Sequence, residues 1–121
     1  MAKLKKLTGE NIQLFKTRIE YWLNFFNLSE WEHAIIVDDD DVGRFLAYMN
    51  ANEKAMQVSF FICNKWDEGD ITKKNIDETA LHEVLELLLW KIGDMAGEMY
   101  NFSIVSSEKH KIINRLIKKF L

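Results

Sequence analysis

Hydrophobic residues recur every three or four positions over residues 10–27, and this spacing predicts a helix with one apolar face. The face consists of Ile12, Phe15, Ile19, Trp22, Leu23 and Phe26. Thr8 stands where an N-cap is expected, because a threonine hydroxyl can accept a hydrogen bond from a backbone N–H group of the first turn. The apolar face of this helix needs a second layer of structure to cover it.

The pattern then changes to the period of a β-strand, with apolar and polar side chains alternating over residues 31–37, 44–49 and 55–63. Polar residues at 50–53 can turn the chain between the second and third segments. These two segments are therefore expected to form a hairpin. We expect the three strands to make a small, mostly antiparallel sheet.

A polar stretch at 64–74 predicts a loop, after which a second helix is expected. Asn75 as N-cap and Glu78 three residues later form a variant of the capping box. Apolar residues fill most positions from 80 to 92, so this helix is expected to be buried on most sides. Gly93 is a natural stop, because glycine commonly ends helices.

Residues 94–105 show no clear period, and 99–105 could form a short strand or an ordered loop. A last helix is predicted from about 108 to 120, capped by Ser106 or Ser107. The predicted order is helix, three strands, helix, helix. This order indicates an α+β fold in a single domain spanning residues 1–121.

Composition narrows the classes of function. The chain has 121 residues, a net charge of −3 and one cysteine. The acidic balance argues against a nucleic-acid partner, which needs a concentrated basic face. The apolar runs, such as Leu87 to Trp90, are too short for a membrane span. A chain without an internal disulfide fits a reducing compartment, so we expect a cytoplasmic protein.

The helix predicted after residue 75 carries the candidate chemistry. His82 and Glu86 are four residues apart, so both side chains project from the same face one turn from each other, as the ligands of one metal ion can. Glu83 projects beside them. The spacing is that of the HExxH zinc motif with Glu in place of the second His. The alternative interpretation is a solvent-facing polar stripe on an amphipathic helix.

Residues 78–89, ETALHEVLELLL, resemble the core helix of small phage-encoded proteins classed as zinc metallopeptidase-like, which are similar to a minimal zincin. Residues 110–116, HKIINRL, resemble the start of a downstream helix in the same proteins. The resemblance covers most of residues 20–121. It implies a zinc site formed by His82, Glu86 and His110, with Glu83 as the general base.

The third ligand stays open at this point, because Glu108 is the alternative to His110 and the two lie on different faces of the last helix. The expected function is a zinc-dependent metallopeptidase or hydrolase that acts on a protein or peptide in the cytoplasm of a phage host. The alternative is a non-catalytic zincin-like module that binds a host protein, with or without structural metal. Manganese or iron would also suit these ligands.

The sequence also leaves open that the protein forms a homodimer. The apolar run from Leu87 to Trp90 could bury its side chains against a second chain as well as in the core of its own. The third interpretation of the whole chain is a structural domain whose histidines and glutamates are ordinary surface residues.

Overall fold

The computed structural model describes residues 3–39 and 46–121. Over these residues the chain forms helices packed with small sheets, which confirms the predicted α+β class. The helices are α1 (Gly9–Phe25), α2 (Lys73–Met99) and α3 (Phe102–Phe120). The strands are β1 (Leu4–Lys6), β2 (Glu32–Asp38), β3 (Ala47–Asn52), β4 (Gln57–Cys63) and β5 (Lys65–Asp67). The first two positions of the strand predicted at 44–49 lie outside the described residues.

Helix α1 begins at a reciprocal capping box. The Thr8 hydroxyl accepts from the Asn11 backbone N–H at 3.1 Å, and the Asn11 side chain accepts from the Thr8 backbone N–H at 2.9 Å. Its apolar face is buried as predicted, with Phe15 and Ile19 fully inaccessible to solvent. This face packs mainly against α2.

A polar contact fixes the position of α1 on α2. Asp77 of α2 accepts two hydrogen bonds at the same carboxylate oxygen, from Trp22 Nε1 at 2.8 Å and from Arg18 Nε at 2.9 Å. Charge-assisted bonds of this kind are shorter and stronger than neutral ones. The contact sets the register of the two helices one turn before the candidate chemistry at His82.

The main sheet has the strand order β2-β4-β3. Strands β3 and β4 form the predicted antiparallel hairpin, with Ala47 opposite Ile62 and Asn52 opposite Gln57. Strand β2 runs parallel to β4, so the sheet is mixed. Strand β4 is central because it carries the most buried apolar side chains, and an edge position would leave them exposed.

A second, two-stranded sheet joins β1 to β5 in antiparallel register. Neither strand is anticipated from the sequence, because three residues are too few to show an alternating period. Strand β5 and a 3₁₀ turn at Glu68–Asp70 occupy much of the stretch predicted as a loop. Trp66 of β5 is 1% exposed and anchors this ribbon to the core.

The predicted start of α2 is wrong by three residues. Thr72 is the N-cap, and its side chain accepts from the Asn75 backbone N–H, so Asn75 lies inside the first turn. The predicted end at Gly93 is also wrong, because α2 continues to Met99. Glycine costs only about 1 kcal/mol in a helix interior, which continued backbone hydrogen bonding can offset.

Helix α3 starts six residues earlier than predicted. Asn101 is its N-cap and accepts from the Ser103 backbone N–H, whereas Ser106 and Ser107 lie within the helix. Only residues 100–101 separate α2 from α3, so the two helices form a hairpin. This close connection returns α3 along α2. Among the described helices, none has a stretch long and apolar enough to span a membrane.

Candidate metal centre

The predicted ligands on α2 lie at the edge of its buried half. Glu83 is buried, while the side chains of Glu86 and His82 are 14% and 31% exposed. Their helix packs against α1, β3 and α3, so little freedom remains for its backbone. The imidazole Nε2 of His82 lies 3.5 Å from Oε1 of Glu86. Helical geometry alone accounts for this pair.

The returning helix α3 brings His110 to the same point. Its Nε2 lies 3.0 Å from Oε1 of Glu86, and its ring centre lies 5.6 Å from that of His82. One ligand atom from each of His82, Glu86 and His110 lies within 4.8 Å of the other two. Within residues 3–39 and 46–121, this is the one cluster of three such groups that could hold a metal ion.

The orientation of His110 is set by its own helix. Its Nδ1 lies 2.7 Å from the backbone carbonyl oxygen of Ser106. Because a carbonyl can only accept, Nδ1 carries the proton, which leaves Nε2 as the ring nitrogen that faces Glu86 and is available to a metal ion. Metal-binding histidines are typically oriented by such a bond at the other ring nitrogen.

Lys109 is a member of this site that sequence reasoning missed. Its Nζ donates to Oε2 of Glu86 at 2.8 Å, which leaves Oε1 for the two histidines. The lysine stem passes Gly93, where an added Cβ would lie 3.4 Å from Lys109 Cδ. The sequence offered one indication of its role, which is that a basic residue stands next to His110. With α3 predicted to start at residue 108, Lys109 could not be assigned to the side of the helix that faces Glu86.

Electrostatics keep Glu86 ionised. Burial alone would raise the pKa of its carboxyl, but hydrogen bonds with His82 and Lys109 outweigh burial and lower the pKa to about 2. The same bond to Glu86 raises the pKa of His82, although burial opposes the shift. The site therefore presents a carboxylate between nitrogen donors, which is a set that divalent cations bind.

Glu83 has a different environment. It is 7% exposed, and burial raises the pKa of its carboxyl to about 7. In the described part of the chain, no hydrogen bond or ion pair engages this carboxylate. Glu83 and His82 line an open groove with a volume of about 870 Å³, which runs between α2, the edge strand β3 and α3. Glu83 therefore borders the groove, although most of its surface is covered.

The distances fit a small divalent cation. Zinc binds nitrogen and oxygen ligands at about 2.0–2.2 Å, so neighbouring ligands of a tetrahedral zinc ion lie about 3.3 Å apart. The two separations from Glu86 Oε1, 3.0 Å and 3.5 Å, bracket that value. The bonds at Ser106 and Lys109 supply the outer-shell support that such ligands normally have.

The alternative third ligand, Glu108, lies outside the cluster. Its Oε1 accepts from Lys111 Nζ at 2.9 Å, and its side chain is 63% exposed. His33 is also separate, because its Nε2 lies 3.8 Å from Glu20 Oε1. The geometry thus groups His110 with the predicted ligands of α2 and leaves Glu108 apart.

Comparisons of this chain with protein-family models, curated proteins and solved structures give no match. The likeness to phage metallopeptidase-like proteins therefore stays a prediction from the two motifs. What the chain does must be argued from its own side chains.

Proposed function

We propose that this protein binds one zinc ion through His82, Glu86 and His110 and hydrolyses peptide bonds with Glu83 as general base. The observation that supports the proposal is the convergence of the three ligand atoms at metal-ligand spacing. Two of them come from one helix and the third from another, so helical periodicity by itself does not produce the cluster. If His82 and Glu86 were only part of a polar surface stripe on α2, no histidine from α3 would need to lie beside them.

The donor set favours zinc, since imidazole nitrogen and carboxylate oxygen with two histidines and one glutamate are typical of catalytic zinc sites. When bound, such an ion would supply Lewis acidity to a water molecule and to the substrate carbonyl. Oε1 of Glu86 and the two Nε2 atoms would hold it. Lys109 keeps Glu86 Oε2 engaged and so fixes the direction of Oε1.

Glu83 is suited to take a proton from water. It projects from the helix turn that carries His82, it faces the groove, and no described group competes for its oxygens. A general base works best when its pKa lies near the working pH. Ala47, the first residue of the edge strand β3, lines the same groove, and an extended peptide could pair with that edge.

Metal binding is tested with purified protein incubated with zinc at neutral pH and then dialysed. Elemental analysis should find about one zinc ion per wild-type chain and little in His82→Ala or His110→Ala. His33→Ala is the matched control, because His33 lies outside the cluster, and it should keep the wild-type metal content. Wild-type protein that holds no zinc rejects the site.

Hydrolysis is tested with a mixture of fluorogenic peptides of varied sequence. Glu83→Gln should retain zinc and lose about a hundredfold or more of the rate, because a general base contributes a factor of that order. Glu98→Gln, at an exposed carboxylate of α2 that lies outside this groove, should leave the rate unchanged. Zinc binding without any peptide cleavage by the wild type would reject the enzymatic role and favour the non-catalytic binding module.

A further inference from the structure

The second half of α2, the connection to α3 and the first part of α3 expose several large apolar side chains. We call this surface the hairpin face, and its exposed residues are Ile92, Met95, Met99, Tyr100, Ile104 and Ile112. Their exposure runs from 45% at Ile112 to 80% at Met99. The α2 members are spaced by three and four residues, so they lie on one side of the helix. Soluble monomers rarely leave an apolar patch of this size open.

A groove runs along this face between the two helices. It has a volume of about 280 Å³, and its apolar lining includes Leu89, Ile92, Ala96, Ile104 and Ile112. Ala96 is small, which leaves room between the helices, while Met95 and Met99 project beside the groove. The face therefore carries both a recess and large flexible side chains that could fill one.

The size of the face matches an interface between proteins. Aromatic side chains have areas of about 150–250 Å², and those of Ile and Met lie near the lower end, so the six side chains at 45–80% exposure present on the order of 600 Å². A standard interface buries about 800 Å² on each partner. The six side chains therefore supply most of the area that one copy contributes to a stable dimer.

The charges on the face favour a partner with the same surface. Glu108 and Lys109 both line the groove, so one surface carries both signs. A two-fold contact, in which the same patch meets itself, requires such self-complementarity. A nucleic acid or an anionic lipid surface would instead need a basic patch.

We propose that the hairpin face joins two copies of this chain in a two-fold symmetric dimer, with Met95 and Met99 of each copy packed into the groove of the other. The sequence-based expectation placed a dimer contact at Leu87 to Trp90. In the structure Leu87 is buried in the chain's own core, whereas Leu89 lines the groove, so the proposed contact overlaps that run only in part.

The proposed dimer leaves the candidate metal centre accessible. The groove beside His82 and Glu83 shares no lining residue with the groove of the hairpin face, and of the residues placed at the metal centre only Lys109, which does not supply a ligand atom, lines the latter groove. The proposal therefore does not depend on the proposed function. Association and zinc binding can fail separately.

Sedimentation velocity over about 1 to 100 µM tests the proposal, since an interface of this size commonly gives affinities in or below that range. The wild type should sediment as a species of twice the 14.3 kDa chain mass. Met99→Glu should be a monomer throughout, because it would place a charge in the apolar contact.

Phe102→Glu is the matched control. Phe102 is 79% exposed, close to the 80% of Met99, but it lines a different groove on the other side of the hairpin with Trp90 and Gly97. This variant should remain a dimer, and circular dichroism should show equal helix content in all three proteins. A wild type that stays monomeric at the highest concentration overturns the proposal. Binding of that monomer to zwitterionic vesicles would show that the hairpin face contacts lipid instead. Equal loss of dimer in both variants also overturns it.

Discussion

The two halves of α2 contain similar residue types, but these residues lie in different surroundings. From Lys73 to about Leu89, the apolar side chains are buried against α1, the sheet and α3, and the polar ones gather around Glu86. From Lys91 to Met99, the apolar side chains face solvent. The difference arises from what lies beside each half, because α1 and the sheet do not cover the second half. An apolar stripe therefore identifies a face that needs covering, without naming what covers it.

The comparison also explains where the candidate chemistry lies. A carboxylate gains unusual properties only where the surroundings exclude water, and the first half of α2 supplies that condition at Glu83 and Glu86. In the second half, Asp94 and Glu98 are exposed carboxylates on the same helix. Glu83 and Glu86 differ from Asp94 and Glu98 because they are more buried and because Glu86 lies beside histidines of two helices.

The largest expected effect is a difference in stability between the halves. Leu85→Ala should lower the free energy of unfolding by about 2–5 kcal/mol, because Leu85 is fully buried and its truncation leaves a cavity. Ile92→Ala removes a side chain that is 68% exposed and should cost less than about 1 kcal/mol. Urea denaturation of dilute protein, where association does not contribute, measures both. Equal losses would mean that the halves are equally buried.

The next effect concerns the pH dependence of stability in the metal-free protein. Burial raises the pKa of Glu83 from 4.5 in the unfolded chain to about 7 in the fold. Between these values the folded state holds a proton that the unfolded state has released. The contribution of this group is therefore fully present below pH 4.5 and is lost as the pH rises through about 7.

Glu83→Gln should remove the part of the slope that Glu83 contributes, while His82, whose pKa is also raised, still loses stabilisation as the pH rises in both proteins. Relative to wild type, the variant should gain roughly 3 kcal/mol between pH 4.5 and pH 8, as the size of the pKa shift implies. Urea denaturation with a chelator present, at pH steps across this range, measures the difference. Glu86 does not confuse the result, because its pKa of about 2 makes its contribution decline only at more acidic pH in both proteins. Parallel pH profiles would show that Glu83 is not desolvated.

Local rules accounted for the parts of the molecule that a single element defines. The face of α1, the β3–β4 hairpin and the one-turn spacing of His82 and Glu86 follow from periodicity and need no knowledge of the partners. His110 was different. Its residue pattern alone left it no better than Glu108, and only the motif resemblance pointed to it. The packing of α3 on α2 is what places it beside Glu86.

Features that depend on tertiary neighbours could not be predicted from the sequence. The parallel pairing of β2 with β4 depends on which strand becomes central, and β1 and β5 are too short to show a period. The ion pair of Lys109 with Glu86 needs the register of two helices, which follows from the true start of α3 at Phe102. Gly93 was read as a stop because glycine favours helix ends, but here it lies within α2 and makes room for Lys109.

The smallest expected effect tests this reading of the two glycines in the exposed half. No atom lies within 4 Å of a Cβ added at Gly97, so Gly97→Ala should raise the free energy of unfolding by about 0.5–1 kcal/mol through helix propensity. Propensity alone would give Gly93→Ala the larger gain, because Gly93 is further from the helix end. Its added Cβ would lie 3.4 Å from Lys109 Cδ, at the tight limit of ordinary van der Waals contact, so we expect the smaller gain instead. Thermal unfolding at matched dilute concentration compares the two variants. A gain at Gly93 that exceeds the gain at Gly97 would show that Lys109 does not need the space, and destabilisation at Gly93 with no gain at Gly97 would mean that α2 ends there after all.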